Sequence, residues 1–299
     1  MKTLIITNSL DATVDFIINE IGSNNFVRIN YDRPHDWILN LSKDALSIKS
    51  EVLGFDLTDN DIGKFIWRKP YISEPELAPY DDKFYKAEWK FFLHDIMLFF
   101  RKKGCIFLNE PLPDFLFTKH YQLSYAADYF DCPPMFSSIN ALIPPQINSI
   151  AKGLSSTTFE NGNVFYTTDI SGQELDSALW TIQEKVDRTH DLTIAFVYGK
   201  VFAFELDRGL FEGVDWRTVV FEVSEDWRFI ELDSDFTNRI IKFMSELSLN
   251  YGRLDFLANA NASDAVFLEV NRNGQWAWLD PKHEYGLFKA MCDVYHPNA

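Results

Sequence analysis

The sequence predicts a mixed protein, α/β in its first third and α+β beyond it, on three observations. Its opening TLIIT (3–7) is a short, continuous apolar run that reads as a buried strand, with a helix entered at Asp11 after it. From Ile147 onward strands dominate, and two stretches look like hairpins. At 299 residues the chain is long enough for two or three modules sharing substantial cores.

The elements follow in order. FVRI (26–29), WILNL (37–41) and FIWRKP (65–70) read as short strands. KFYKAEWKFFLHDIMLFFRKK (83–103) places apolar residues at helical spacing and ends in basic residues that suit a helix C-terminus. CIFLN (105–109) is a further strand, and Pro111 and Pro113 mark a boundary, giving an N-terminal α/β domain over 1–112. KHYQLSYAADYF (119–130) is helical and stops at DCPP. INSIAKGLSS, VFYTTDI, WTIQEKV, LTIAFVYGKVFAFEL and TVVFEV then read as strands, with a hairpin turning at Gly199–Lys200. The helix DFTNRIIKFMSELSL (235–249) precedes a second hairpin, YGRLDFLANANASDAVFLEVN. We divide this part into a central subdomain, 113–182, and a C-terminal one, 183–299.

Composition narrows the function classes. A formal charge of −16 argues against general attraction to nucleic acid or an anionic membrane. Cys105, Cys132 and Cys292 are scattered, show no metal-ligand spacing and cannot all pair, so a reducing cytoplasm is the simplest home. MKTLIITNSLDATVDF is a first strand rather than a signal peptide, and FFLHDIMLFF is too short and too interrupted to span a bilayer. The 16% aromatic content leaves material for a homodimer interface.

The chemistry gathers in the second hairpin. In VFLEVNRNGQWAWLD (266–280), Glu269 and Asn271 share one strand face and Leu268 and Val270 the other. A turn near Ala262 sets Asp255 opposite Glu269, with Leu254, Phe256, Leu268 and Val270 toward the core. Two carboxylates and an amide oxygen on one face repel unless a hard cation joins them, and oxygen-only ligands favour Mg²⁺ over zinc. A merely polar sheet face is the alternative. Mg²⁺ with few protein ligands implies a nucleotide phosphate, although neither a Walker A sequence nor GxGxxG occurs. Lys152 at a strand end, before the loop TTFENGNV, is a candidate phosphate ligand or else a surface lysine. The backbone over Gln183–Val186 is a candidate reader of an adenine edge.

The order of these segments resembles that of ATP-grasp enzymes. TKHYQLSYAADYFDCPP is similar to the segment that opens such domains, IAKGLSS to their strand lysine, IQEKV to their adenine hinge, and LDFL…FLEVNRNGQW to their paired Mg²⁺ strands. WRKP (67–70) and VDWR (214–217) narrow the resemblance to the microviridin-type, graspetide-forming peptide ligases, over the whole chain. It implies an ATP-grasp fold behind an N-terminal α/β domain that recognises a leader peptide, and ATP and Mg²⁺ as cofactors. Lys119 and Lys152 would contact phosphates, and Gln183, Glu184, Lys185 and Val186 would line the adenine hinge. Asp191 would hold the ribose, and Asp255, Glu269 and Asn271 would bind Mg²⁺. The implied reaction activates Asp or Glu side chains of a ribosomal precursor peptide as acyl-phosphates. Thr, Ser or Lys side chains then attack to form ester or amide cross-links. Asp215 and Arg217 would present the acidic, Thr-rich core of that peptide, and Arg68 and Lys69 would dock its leader. Trp67 as a core aromatic and Arg217 as a hairpin-tip charge are the alternatives.

One departure stands out. Where the family reads an acid, an aliphatic residue and arginine, this chain reads Asp191-Leu192-Thr193, leaving Arg208 or Arg253 to supply the charge. Two other functions fit the same residues: an amino-acid ligase of the glutamate-adding type, and a non-catalytic nucleotide- and peptide-binding module.

Overall fold

A computed structural model describes residues 1–68, 75–76, 83–109, 117–144, 146–155, 165–219 and 225–297. The chain forms two units, Met1–Pro111 with Gln275–Ala299, and Leu112–Gly274.

The first unit is built on a parallel sheet in the order β2 (Phe26–Asn30), β1 (Lys2–Thr7), β6 (Ile62–Trp67) and β7 (Ile106–Phe107). Leu4, Ile5 and Ile6 are completely buried on this internal strand, which is why TLIIT shows no polar alternation. A second, antiparallel sheet joins β3 (Ile38–Leu41), β4 (Leu46–Ser50) and β5 (Phe55–Thr58). LSIKS did not read as a strand, yet its alternate residues Leu46, Ile48 and Ser50 are buried. Helix α1 (Ala12–Ile21) starts after Asp11 as expected, while α2 (Lys83–Lys102) buries Leu93, Ile96, Phe99 and Phe100 against Leu4, Ile6 and Phe65.

WRKP behaves differently from the expectation. Trp67 stacks between Phe65 and His94, with ring centroids 6.4 and 5.1 Å away. The Arg68 backbone N–H continues the ladder to Ile6 O at 2.9 Å, and its guanidinium is 1% exposed. It donates to Asp11 at 2.9 Å and to Gln275 at 2.6 Å. A cation so enclosed cannot dock a leader peptide, so that assignment of Arg68 is corrected; Lys69 lies outside the described residues.

Residues 275–297 also differ from the division at 183–299. They carry the fifth helix of the described residues, α5 (Leu287–Tyr295), which packs on α1 within the first unit. Lys64 Nζ donates to Val294 O and His296 O, each at 2.7 Å, and Thr3 Oγ1 to Tyr295 O at 2.8 Å. These bonds satisfy C-terminal carbonyls that the helix itself leaves open.

The second unit contains two antiparallel sheets. The smaller has the order β10 (Thr168–Asp169), β9 (Ser149–Ala151), β11 (Trp180–Glu184), β8 (Met135–Ser138). The larger has the order β14 (Arg228–Ile230), β13 (Lys200–Asp207), β12 (His190–Val197), β15 (Tyr251–Asn259), β16 (Ser263–Asn271). The β12–β13 hairpin turns at Tyr198 and Gly199, both at positive φ (46° and 82°), one residue earlier than expected. Such a turn matches the twist of its strands. TVVFEV is a 3-10 turn at Trp216–Val219, and the rest of it lies outside the described residues. Helices α3 (Lys119–Ala126) and α4 (Ser234–Glu246) close over the larger sheet through Phe130. That ring meets Phe243 and Phe256 edge-on at 5.4 and 5.2 Å and stacks on Phe267. Among the described residues, no helix is long and apolar enough to cross a membrane.

Candidate active site

Asp255 on β15 pairs directly with Glu269 on β16, as counting from Ala262 predicts. The register then shifts, and Phe256 pairs with Phe267, leaving Leu268 as the extra residue of a bulge. Phe267 is therefore the fully buried core residue, and the half-buried Leu268 lines the cleft instead of facing the core as expected. The bulge turns Glu269 and Leu268 into the same cleft.

Each carboxylate meets a cation. Lys119, the first residue of α3, lies 2.8 Å from Glu269. Arg253, two residues before Asp255 and so on the same strand face, grips it through Nε at 3.1 Å and Nη2 at 2.9 Å. Thr193 Oγ1 on the neighbouring strand donates to Asp255 Oδ1 at 2.6 Å. Burial alone would raise the Glu269 carboxyl, but Lys119, Lys152 and Arg253 together pull it down to about 2. Burial lowers the Arg253 guanidinium, and Asp255 outweighs that, so Arg253 is held more firmly charged than usual.

Lys152, just past β9, is 8% exposed and donates to Gln183 Oε1 at 2.6 Å. Burial, then the like charge of Lys119, brings its ammonium down to about 8. A surface lysine would show neither feature. Gln183 and Glu184 end β11, and with Val186 they line the cleft. Lys185 points elsewhere: its Nζ pairs with Asp169 at 2.6 Å, and its backbone N–H bonds Asn148 O.

Asp191 lines the cleft and is paired with Arg208 at 2.8 Å. Burial pushes its carboxyl up to about 7 in spite of that arginine. Arg208 is engaged there and on Gly213 O, whereas Arg253 lines the cleft beside the Thr193–Asp255 pair. Of the two candidates to replace the expected arginine, Arg253 is the one in the cleft.

Asp215 and Arg217 both line the cleft. Arg217 donates from Nε to Asp215 Oδ1 at 2.8 Å and from Nη2 to Oδ2 at 2.5 Å, which leaves its Nη1 edge for a second anion. Its hydrogen bonds to Asp215 raise the guanidinium further. Burial would raise Asp215, but Arg217 and the Thr167 N–H hold it below the ordinary carboxylate value.

Three features escaped the sequence. Trp216 and Trp227 line the cleft and meet edge-on at 5.2 Å. Gln122, buried one turn after Lys119, accepts the Val270 N–H at 2.8 Å and so ties α3 to β16. Its i+3 spacing from Lys119 is the signal that could have found it. The loop TTFENGNV (157–164) lies outside the described residues.

Among the described residues, no cluster of three or more His, Cys, Asp or Glu forms a metal cage. Asn271 pairs with Arg253 across the ladder, and its Oδ1 accepts the Asn273 N–H at 3.1 Å. The donors that line the cleft are thus the two carboxylates, with the Asn271 amide on the same strand face but not among the lining residues. That fits Mg²⁺, which keeps several waters and shares itself with phosphates rather than sitting in an all-protein cage.

No protein-family model matches the sequence, and no curated protein does. Solved structures do. The Chryseobacterium gregarium RiPP-associated ATP-grasp ligase, in complex with ADP and a leader and core peptide, is 22% identical with a TM-score of 0.81, over 100% of this chain and 97% of that one. Macrocyclase MdnC of Microcystis aeruginosa MRC, bound with precursor peptide MdnA, is 19% identical with a TM-score of 0.79 over 100% of both chains. ATP-grasp ligase PsnB, complexed with minimal precursor, Mg and ADP, is 12% identical with a TM-score of 0.67, over 99% of this chain and 98% of that one. Over its full length, this chain has the fold of the RiPP-associated ATP-grasp ligases.

Proposed function

We propose that this protein is an ADP-forming peptide ligase that cross-links side chains of a ribosomal precursor peptide. The observation that carries this reading is the convergence of Lys119, Lys152, Arg253 and Arg217 on one cleft that also holds the Asp255–Glu269 pair. In a chain of net charge −16, four cations gathered in one cleft suit an anionic ligand. Solved proteins of the same fold bind ADP and precursor peptides.

In the proposed reaction a peptide Asp or Glu carboxylate attacks the γ-phosphorus of ATP, and ADP leaves. A Thr or Ser hydroxyl, or a Lys amine, then attacks the acyl carbon, and inorganic phosphate leaves with the carboxylate oxygen. Lys152 and Lys119 hold the phosphates. The backbone at Gln183–Val186 receives the adenine, and Asp191 the ribose. Arg217, oriented by Asp215, grips the acceptor carboxylate with its remaining edge and offsets its repulsion from the γ-phosphate. Asp255, Glu269 and Asn271 would hold Mg²⁺, which supplies Lewis-acid stabilisation of charge on the transferred phosphoryl group. Arg253 stands in for the guanidinium that Thr193 does not supply. The first unit, Met1–Pro111 with Gln275–Ala299, is assigned to leader recognition through a surface other than Arg68. Free thiols at Cys105, Cys132 and Cys292 suit a cytoplasmic enzyme.

The test uses the purified protein with ATP, Mg²⁺ and a Thr/Ser- and Asp/Glu-rich peptide encoded beside its gene. Each cross-link should remove one water from the peptide and release one ADP. Arg217→Ala should keep nucleotide affinity and lose the dehydration. ADP release with no loss of water by any such peptide would overturn the reading, as would unchanged dehydration by Arg217→Ala.

A further inference from the structure

Thr193 stands where arginine was expected, and it is 3% exposed on β12, the middle strand of the larger sheet. It pairs directly with Asp255 across the β12–β15 ladder, so the two side chains leave the sheet on one face. A β-branched side chain has few χ1 positions open to it in a strand, which keeps the hydroxyl where the ladder puts it. From there Oγ1 donates to Asp255 Oδ1 at 2.6 Å.

The hydrogen bonds of Asp255 are unevenly shared between its two oxygens. Each oxygen of an ionised carboxylate offers about two acceptor positions. Oδ1 takes one bond from Thr193 and a second from Arg253 Nε at 3.1 Å. Among the described residues, Oδ2 takes one, from Arg253 Nη2 at 2.9 Å. Protein donors therefore saturate Oδ1, and Oδ2 keeps one position for a ligand in the cleft that Asp255 lines.

That count decides how the carboxylate can hold a cation. With Oδ1 filled, Asp255 ligates through Oδ2 alone. The two oxygens of one carboxylate sit too close together for neighbouring corners of the small, strict Mg²⁺ octahedron, so single-oxygen ligation suits Mg²⁺. The larger and more flexible Ca²⁺ shell accepts both oxygens of one carboxylate and gains from them.

We infer that Thr193 is a positioning residue that selects the cation: by occupying Asp255 Oδ1 it restricts that carboxylate to one-oxygen ligation and makes the site favour Mg²⁺ over Ca²⁺. The inference rests on the metal role proposed for Asp255 and goes beyond it, since it assigns the choice of cation to a side chain that acts through Asp255.

The experiment is calorimetry of a non-hydrolysable ATP analogue binding to the full chain with Mg²⁺, with Ca²⁺, or with a chelator in place of either. The parent should bind the analogue most tightly with Mg²⁺ and most weakly with chelator. Thr193→Val keeps the branched shape and removes the donor. It should shrink the Mg²⁺-to-Ca²⁺ affinity ratio about tenfold, a size typical for losing the outer partner of a metal ligand. Thr193→Ser keeps the donor and removes the methyl group, so it should retain the parent ratio even where its melting temperature falls. An unchanged ratio in Thr193→Val overturns the inference. So does a Thr193→Ser ratio that falls as far as that of Thr193→Val, which would trace the effect to packing. A parent that needs a divalent cation without distinguishing the two overturns it as well. A parent that binds equally in all three conditions overturns the metal role of Asp255 itself, whereas a parent that prefers Mg²⁺ beside unmoved variants leaves that role standing.

Discussion

Replacing Lys152 with methionine separates a ligand-binding lysine from a structural one, because the two roles move stability and affinity in different ways. In the folded protein its ammonium falls from the ordinary 10.5 to about 8, chiefly through burial. That difference amounts to roughly 3 kcal/mol by which the site disfavours the charged form at neutral pH. Methionine fills similar volume without the charge, so this cost disappears. Against it stands the Gln183 Oε1 acceptor, left without its donor at about 1–3 kcal/mol. The two nearly cancel, and the melting temperature of Lys152→Met should stay within a few degrees of the parent or rise. Nucleotide affinity should fall instead. A charge-assisted contact to phosphate is worth about 1.5–3 kcal/mol, or on the order of 10- to 100-fold in Kd. Calorimetry with a non-hydrolysable ATP analogue gives the affinity, and differential scanning calorimetry the stability. The lysine's charge sets the pH dependence as well. Analogue affinity of the parent should weaken as pH rises through about 8, where the free enzyme's lysine loses its proton, and the variant should not share that limb. An unchanged Kd with a melting point many degrees lower would make Lys152 a structural group and refute the reasoning.

Glu269→Gln and Asn271→Ala should each abolish peptide dehydration while circular dichroism stays unchanged; near-parent turnover by either would remove these residues from the metal set. With Glu269 held down to about 2, its stability contribution is complete above its ordinary 4.5 and vanishes as pH falls through about 2, so Glu269→Gln should lose that part of the acid-unfolding limb in urea titrations. Gln122→Leu should cost about 1–3 kcal/mol, because the buried Val270 N–H loses its acceptor. It should also lower nucleotide affinity by letting α3 and Lys119 drift from Glu269, and a stability loss without any affinity loss would limit Gln122 to packing.

What could be read from the sequence was what depends on counting along a strand or on the order of segments. The Asp255–Glu269 pairing follows from equal distances to the turn, and Lys152 and Asp215–Arg217 fall in the cleft where the order of segments put them. The Leu268 orientation did not follow, because a bulge flips one residue without leaving a mark in an apolar run. Arg68 was misread for another reason. WRKP states a charge but not its partner, and Asp11 and Gln275 are distant in sequence. Asp191 and Arg208 likewise meet only because β12 and β13 end side by side. Sequence order carries element identity well, and says little about which side chains of distant segments neutralise one another.

The return of residues 275–297 to the first unit bears on how the protein is made. Thr3 and Lys64 find their acceptors only on the turn that ends at His296, and Arg68 finds Gln275 only after the whole second unit has been synthesised. At roughly 5–20 residues per second, translating residues 112–274 takes on the order of ten seconds or more. During that interval β1 and β6 have emerged, but the buried ammonium of Lys64 still lacks its carbonyls. The second unit, Leu112–Gly274, is contiguous. The nascent protein therefore has the whole of the unit that holds the cleft before it completes the unit with which its synthesis began.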